Sequence, residues 1–520
     1  MKIYFIAICG KGVGNLAIFL KQQGHDVYGS EFSKNTFYSP MADYIKDVGI
    51  KVDFGFDPEK ITKDIDLVIL GGATFIHDQN NPQVAKAKEL GIETISFACG
   101  IGRFISQEEN IEVVGNHGKT TTTSLIAWLL NGAGENPSYF IGEAPHGFEN
   151  SIHRGDSKWF VAEGDEHPTL NVEPGGKFLY HNPKHIVFTS ADWDHKNIYK
   201  TEEEYLNSFR ELFKIQPKDG IIVSNLDGIK TKEVLNSIDN KNKVILYTIS
   251  VFNEIKANET ENEIDILMQK ELKTLKTKFE NLYKNLDSIF YIASIDYKLK
   301  PDTTRFLLKK ISKNGECERI NNFETPLIGQ VGLENSIAAI STLCSLGIDI
   351  EKIKKPLENF QGAKRRLELV YNREYKVIND FAHSPIKIKS ALKAIRSKYY
   401  DNKIFVIFHI TQSGLKEKQT FNQLKKAFNY ADYVIIPKVT STGRNAKEFF
   451  GRDYRDIIKQ GAEEETQFLE PKNVYYTPLL VQMRSVLENN LSPNDIIVIM
   501  SSGDANELLD TVIGLKINNN

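Results

Sequence analysis

Four cysteines in 520 residues are too few and too scattered to carry a fold. Cys9, Cys99, Cys317 and Cys344 form no C-x-x-C pair, which argues against a zinc site and a disulfide framework and predicts a reducing, cytoplasmic setting. No apolar run approaches the roughly 20 residues that a helix needs to cross a bilayer, so no membrane span is expected. The opening MKIYFIAIC resembles a signal peptide only superficially. Its apolar core is about seven residues long, and GKGVG and an amphipathic stretch follow it where a small-residue cleavage site would stand. It reads as the first strand of a folded domain. An excess of one charge is also missing. The 65 Lys and Arg against 68 Asp and Glu leave a net charge of -3, which gives no general attraction to nucleic acid or to anionic membranes. Internal repeats and low-complexity linkers are absent, and nothing in the composition fixes an oligomeric state.

What is present is the material of a large globular protein, with 41% hydrophobic and 26% charged residues. At roughly 150 residues per domain the length predicts about three domains. Residues 1–106 alternate strand and helix patterns: KIYFIAIC, VGNLAIFLKQQG, DVYGSE, DLVILGG, NPQVAKAKELG and IETISFA. They predict a small, doubly wound Rossmann-like α/β domain. Its first turn carries Gly10, Gly12 and Gly14 in a G-x-G-x-G pattern, one residue short of the dinucleotide fingerprint, and Glu31 closes the second strand where a ribose contact would sit. The glycines fit a nucleotide-like ligand and close helix-on-sheet packing equally well.

A central domain is expected over 107–360. SKWFVAEGDE, PKHIVFTSADWDH and DGIIVSNLD are apolar strands with polar ends, which suits a parallel sheet with ligands at its C-terminal edge. A Lys- and Asn-rich segment near 253–314 interrupts this texture. There Leu272, Leu275, Phe279, Leu282 and Leu286 alternate spacings of three and four, predicting one amphipathic helix packed on the domain. From 361 to 520 the strands YKVIND, KIFVIFHI, ADYVIIPKV and DIIVIMSSG predict a third, Rossmann-like α/β domain.

The sharpest chemical signal is GNHGKTT, from Gly115 to Thr121. A phosphate loop reads G-x-x-x-x-G-K-[ST]. Gly118, Lys119 and Thr120 supply its right end, but Val113 stands where the first glycine belongs. The physics survives the shortening, because the turn lies between a β-branched run and a helical pattern. Backbone N–H groups and the helix dipole would face an anion there. Lys119 would neutralise phosphate oxygens and the Thr120 hydroxyl would reach Mg²⁺. An ordinary glycine turn does not require all of these residues together.

Two acidic groups end apolar strands: Glu163, Asp165 and Glu166 on one, and Asp192, Asp194 and His195 on what reads as the adjacent one. They suit Mg²⁺ held by one or two protein ligands plus phosphates better than a solvated rim. Arg365 and Arg366, followed by Asp380 and His383, would serve either a transferring phosphoryl group or a structural ion pair.

In chain order, G-N-H-G-K-T-T, A-E-G-D-E, D-H, N-x-x-A-A-I, R-R-L-E and N-D-F-A-H-S-P together resemble the Mur ligases, and the similarity covers nearly all of the chain apart from the Lys-rich segment. The resemblance implies an ADP-forming ligase. ATP would phosphorylate the carboxylate of UDP-N-acetylmuramate, and an amine would displace the phosphate from the acyl phosphate. It implies that the first domain holds the UDP-sugar, the central one ATP and Mg²⁺, and the third the amine. Carried over by position, Gly115, Asn116, His117, Gly118, Lys119, Thr120 and Thr121 would bind ATP, with Asn335, Arg366 and Asp380. Lys119, Glu163 and His195 would be catalytic, and Thr120, Glu163 and His195 would hold the metal. Gly10, Gly12, Gly14, Glu31, Thr74 and His383 would contact substrate. ICGKGVGNLA, GFENSIHRGDSKWFVAEGDE and KFLYHNPKHIVFTSADWDHKNIY are most similar to the members that use the tripeptide L-alanyl-γ-D-glutamyl-meso-diaminopimelate in peptidoglycan recycling, with L-alanine as the alternative amine.

The chain departs from the family in four places. Gly164, His167 and Pro168 alter the acidic motif, Ser190 replaces an Asn, Gly332 replaces one of two adenine-side Asn residues, and Thr411 stands near a missing Arg. Lys416, Lys418, Lys438 and Arg444 are left to bind tripeptide carboxylates. Rival classes fit less well. A P-loop switch needs N-K-x-D, where the chain has SNLDG, and the first glycine turn opposes a nicotinamide dehydrogenase. Folylpolyglutamate synthase is not expected to begin with a separate UDP-binding domain.

Overall fold

The structure, a computed structural model, describes residues 1–37, 41–75, 79–169, 172–195, 198–238, 242–249, 261–296, 303–409, 424, 426–437, 473–477, 479–501, 503 and 505–515. Three sheets organise these residues. The first two lie in one compact unit, and the third belongs to another.

The first sheet contains β1 (Lys2–Ile6), β2 (Asp26–Glu31), β3 (Lys51–Phe54), β4 (Leu67–Leu70) and β5 (Glu93–Ser96), all parallel in the order β3-β2-β1-β4-β5. Strands covered on both faces must be apolar throughout. The central β4 (LVIL) is buried at every position, whereas the edge strands β3 and β5 are partly exposed. Helices α1 (Lys11–Gln22), α2 (Met41–Asp47), α3 (Pro82–Glu89) and α4 (Phe97–Phe104) accompany the sheet. Gly12 and Gly14 lie inside the first turn of α1. A Cβ at Gly12 would meet the Phe97 ring at 2.8 Å, and one at Gly14 would collide with Met41. Of the two readings of the glycine turn, packing accounts for these two residues.

The second sheet runs in the order β15-β14-β13-β12-β11-β10-β6-β9-β7-β8. Its strands are β6 (Glu109–Val114), β7 (Ser138–Phe140), β8 (Ile152–His153), β9 (Trp159–Glu163), β10 (His185–Phe188), β11 (Ile221–Asn225), β12 (Lys243–Thr248), β13 (Leu286–Asp296), β14 (Thr304–Ser312) and β15 (Cys317–Thr325). From β13 to β7 the pairing is parallel, and β14, β15 and β8 are antiparallel additions. Helix α5 (Lys119–Gly132) follows β6, and α6 (Glu202–Ile215) and α7 (Thr231–Asn236) come later in this unit. The expected adjacency of the two acid-bearing strands is corrected here, because β9 and β10 flank β6 on opposite sides.

The single helix expected through Leu272 to Leu286 is also corrected. Helix α8 (Glu261–Lys278) stops before Phe279 (φ -133°, ψ 63°), and α9 covers only Glu280–Asn285. Leu286 opens β13, whose sequence LDSIFYIASID pairs with β12 and β14, so ladder pairing replaces the helical period. Leu272, Leu275, Leu282 and Leu286 are still buried in one core, with Phe279 packed against it.

The third sheet comprises β16 (Glu368–Asn372), β17 (Lys376–Asp380), β18 (Ile404–His409), β19 (Tyr433–Pro437), β20 (Asn473–Thr477) and β21 (Ile496–Ser501), ordered β16-β17-β21-β18-β19-β20. Only β16 is antiparallel. Together the sheets give the three-domain α/β architecture, and no helix among the described residues is long and apolar enough to cross a membrane.

The first two sheets share a core in which Ile152, Phe160 and Ala162 join Leu16, Phe97 and Ile101. Gly102 is pressed against the carbonyl of Tyr180 so closely that any Cβ would collide with backbone. Gly102→Ala is expected to cost about 1–3 kcal/mol by overpacking, read as a lower melting temperature. An unchanged melting temperature would show that this contact relaxes freely.

Candidate functional site

Strand β6 sits at the centre of its sheet and ends in the turn Gly115–Gly118, from which α5 starts. Gly115 (φ 123°) and Gly118 (φ 75°) occupy the left-handed region that side chains disfavour. A Cβ on Gly118 would in addition lie 2.5 Å from Asn335 Oδ1. The Thr189 hydroxyl donates to the His117 carbonyl (2.6 Å), and Asn116 Oδ1 accepts from Ser190 Oγ and from the Asp192 amide (3.3 Å). Ser190, which departs from the family pattern, therefore braces the loop. Asn335 Oδ1 accepts from Thr122 Oγ1 at 3.2 Å. The first-turn N–H groups of α5 open toward the loop mouth, which favours an anion.

Two side-chain groups stand at this mouth. Thr120 Oγ1 donates to Glu163 Oε1 (2.7 Å), whose other oxygen accepts from the Gly142 amide (2.7 Å). Beside them Lys119 Nζ lies 3.0 Å from Glu166 Oε2 and also donates to the Gly115 carbonyl. His195 Nε2 lies 3.1 Å from the other oxygen of Glu166. Glu166 is only 1% exposed, and Tyr205 OH is 3.4 Å from Oε1. It is the hub of the site, yet in the sequence it is simply the last acid of A-E-G-D-E, with only its apolar strand to single it out.

Burial opposes charge on all of these groups, and the mutual attractions win. Desolvation would lower the Lys119 pKa, but Glu166, Glu163 and Asp165 hold it above the ordinary lysine value. Desolvation would raise Glu166, but Lys119 and His195 pull it well below the usual carboxylate range. Asp165 is likewise driven down against its burial, by His167 (Nδ1 at 2.9 Å) and Lys177 (Nζ at 2.7 Å). The rings of His167 and His195 lie against each other with centroids 3.8 Å apart and planes tilted by 60°.

Thr120 and Glu163 bring together the hard oxygen donors that Mg²⁺ prefers, whereas His195 is engaged by Glu166. Among the described residues no group of three or more His, Cys, Asp and Glu side chains is arranged to hold a metal. Mg²⁺ held by the Thr120 and Glu163 oxygens would be completed by phosphate oxygens and water, and the shortened loop supplies the matching anion cradle.

The remaining sequence candidates lie elsewhere. Glu31 is buried and accepts from the Cys9 amide (3.0 Å) and the Phe32 amide (2.9 Å), tying the first glycine turn to β2. Thr74 holds the loop after β4 in place, its buried hydroxyl donating to the carbonyls of Gly71 (2.7 Å) and Ile6 (3.2 Å). In the second unit Asp380 accepts from the Leu367 and Ala382 amides (2.8 and 2.7 Å), and its complete burial raises its pKa despite Arg366 and Arg365. Both guanidinium groups lie over the Phe381 ring, at 4.9 Å for Arg365 and 5.1 Å for Arg366, and His383 Nδ1 contacts the Phe381 carbonyl (2.9 Å). Thr411, Lys416, Lys418, Lys438 and Arg444 lie outside the described residues.

A shortened phosphate loop at the centre of one parallel α/β sheet, accompanied by two further parallel-rich sheets, defines a multidomain nucleotide-using enzyme. Three family models match successive parts of the chain: the Mur ligase family catalytic domain over 2–109, the Mur ligase middle domain over 113–282, and the Mur ligase glutamate ligase domain over 365–503. The chain belongs to the Mur ligase family and is an ATP-dependent, ADP-forming ligase. A UDP-N-acetylmuramate--L-alanine ligase of Sulfurihydrogenibium sp. is 27% identical over 515 residues, covering 98% of this chain and 97% of the relative. A protein of the same name from Rickettsia bellii is 29% identical over 517 residues, covering 97% and 95%. Among solved structures, the UDP-N-acetylmuramate-alanine ligase of Thermotoga maritima aligns with a TM-score of 0.67 at 20% identity, covering 98% of this chain and 97% of that one. The murein peptide ligase of Psychrobacter arcticus aligns with a TM-score of 0.62 at 19% identity and 99% coverage of each.

The expected tripeptide substrate is overturned by these relatives, which match along nearly the whole chain and are named for L-alanine. The physical reason is that the stretches favouring the tripeptide lie in the first two sheets and their loops, outside the third domain expected to take the amine, so they report little about it.

The buried charges set a pH dependence of stability. A carboxylate held below its unfolded value contributes stability that is present above that value and lost as pH falls through the folded one. Glu166 therefore stabilises the fold above about pH 4.5 and loses this contribution toward about pH 2. Glu166→Gln should be less stable than the parent at pH 7 and show a shallower acid loss in urea unfolding measured across pH. Parallel curves for the two proteins would contradict the charge assignment.

Proposed function

We propose that this chain joins L-alanine to UDP-N-acetylmuramate at the expense of ATP, with Mg²⁺ as cofactor, in the cytoplasmic phase of peptidoglycan synthesis. The single observation that carries the ligase site is Lys119, poised at the mouth of the shortened loop and balanced by Glu166. The choice of L-alanine is supported by the names of the full-length relatives. We assign the UDP-sugar to residues 1–106, ATP to 107–360 and the amine to 361–520.

In this reading Lys119 shifts its charge from Glu166 and Gly115 toward the phosphoryl group under transfer, and the α5 N-terminus stabilises the same oxygens. Thr120 and Glu163 supply protein oxygens to Mg²⁺, which neutralises phosphate charge when bound. A muramoyl carboxylate oxygen attacks the γ-phosphorus as the bond to ADP breaks. The alanine nitrogen then attacks the acyl carbon, phosphate leaves, and the amine loses a proton. His195, held by Glu166, would contact the acyl phosphate.

Lys119→Ala should lower turnover by about 10²-fold or more, roughly 3 kcal/mol of barrier, with the circular dichroism spectrum unchanged. Near-normal turnover of the folded variant would remove Lys119 from phosphoryl transfer.

Phosphate release from ATP should require UDP-N-acetylmuramate with L-alanine. L-alanine should exceed L-alanyl-γ-D-glutamyl-meso-diaminopimelate in kcat/KM by about tenfold or more. The reverse preference would overturn the amine assignment while leaving the ATP chemistry intact.

A further inference from the structure

The acidic motif that builds the phosphate site does not end there. Val172–Phe178 form a short excursion that comes back onto this motif, and its base is closed by two backbone bonds. The Lys177 amide donates to the His167 carbonyl (3.2 Å), and the Phe178 amide donates to the Asp165 carbonyl (3.4 Å). Lys177 Nζ seals the same base on Asp165. Phe178 is fully buried in the core beneath, and Glu166 Cα would lie 3.1 Å from a Cβ at Gly176, so the returning strand presses directly on the residue that holds Lys119.

The far end of the excursion reaches the first sheet. Val172 packs against the core formed by Tyr4, Ile6 and Ala7 on and just after β1. Glu173 docks on the start of α4: its carboxylate accepts from the Ser96 amide (3.2 Å), the Ser96 hydroxyl and the Cys99 thiol (3.0 Å). Ser96 is itself the N-cap of α4, accepting from the Cys99 amide. Phe97, the first residue of that helix, covers Gly12 beside the glycine turn and meets Phe140 of β7 edge-on at 5.6 Å. Each contact links one ligand turn to the other through packed or hydrogen-bonded groups.

We propose that the excursion from Val172 to Phe178, anchored on Asp165 and His167, is a relay that couples occupancy of the nucleotide-sugar domain to the phosphate loop, with Glu173 as its positioning residue. The identity of the first ligand rests on the function proposed above, whereas the connection itself rests on the contacts just given. A ligand that moves α4 or the β1–α1 turn shifts Glu173, and the closed base passes the shift to Glu166, the partner of Lys119 and His195. Coupling of this kind is reciprocal, so ATP must tighten the nucleotide-sugar by the same factor as the nucleotide-sugar tightens ATP.

Cys99 provides a readout independent of activity. Burial, then the Glu173 carboxylate, push its thiol up to about 11, which keeps it sluggish toward alkylation while the contact holds. The test measures the affinity of a non-hydrolysable ATP analogue with and without saturating UDP-N-acetylmuramate, in the parent, Glu173→Gln and Val172→Ala. N-ethylmaleimide labelling of the Cys99 peptide is followed by mass spectrometry in the same samples. The parent should bind the analogue about fivefold or more tighter when the nucleotide-sugar is present, and both variants should keep the individual affinities within about threefold while losing most of that factor. Cys99 should label several-fold faster in Glu173→Gln. Equal coupling in the parent and in both variants, or no coupling in the parent, overturns the relay. If UDP-N-acetylmuramate does not bind at all, the functional reading fails instead. The relay is then decided by whether the ATP analogue alone changes Cys99 labelling in the parent and not in Glu173→Gln, an absence of change in the parent overturning it.

Discussion

A half-buried lysine that must stay charged is the constraint on which the rest of the site depends. Removing an ammonium from water is costly unless carboxylates surround it. Here Glu166 makes the direct contact, and Glu163 and Asp165 add their fields. Three acids within four residues can do this only if the strand that carries them ends beside the loop that carries the lysine. The sheet order meets that requirement by setting β9 directly against β6. The carboxylates in turn need partners, and the His195 and His167 rings with the Lys177 ammonium complete the set. The result is a cluster in which each charge is tolerable only because the others are present, and an incoming polyphosphate with its metal would enter an already balanced field.

The loop itself shows how a shortened phosphate-binding turn can be stabilised. It lacks the extra residues of the longer consensus, and it gains support from neighbouring elements: Thr189 and Ser190 after β10 and Asn335 on the helix Gly329–Ser345. Both glycines are required by backbone conformation, and Gly118 also by the close approach of Asn335. The Ser at 190 is thus a local solution rather than a defect, since its hydroxyl donates to the same Asn116 oxygen that orders the turn. Membership of the Mur ligases defines the reaction class, and selectivity for the amine must arise outside this loop.

Much was legible in the sequence. The alternation of apolar runs with helical periodicity gave three α/β domains, because strands buried on both faces must be continuously apolar and little else produces that pattern. GNHGKTT announced the anion site, because glycine, lysine and threonine each do something at that spacing that other residues cannot. The motif order extended this to the family. Amine preference was not legible from the stretches used, since they lie outside the third domain expected to take the amine.

Tertiary structure decided what depends on residues distant in the chain. Periodicity could not tell that Leu286 would leave a helix for a strand, because the competing ladder partner, β14, comes later in sequence. The strand ends carrying Glu163 and His195 are separated by β6, and only the sheet order shows that both still reach one loop. The hydroxyl of Thr74 bonds to backbone carbonyls and Gly14 leaves room for Met41, roles that no motif announces. Glu166 was visible as an acid among acids, and burial between Lys119 and His195 made it the centre of the site. The sequence by itself determined which chemistry the chain can hold, since that depends on residue types at short spacing. Which groups face each other was settled only by the fold, because burial and charge balance come from segments the chain brings together over many residues.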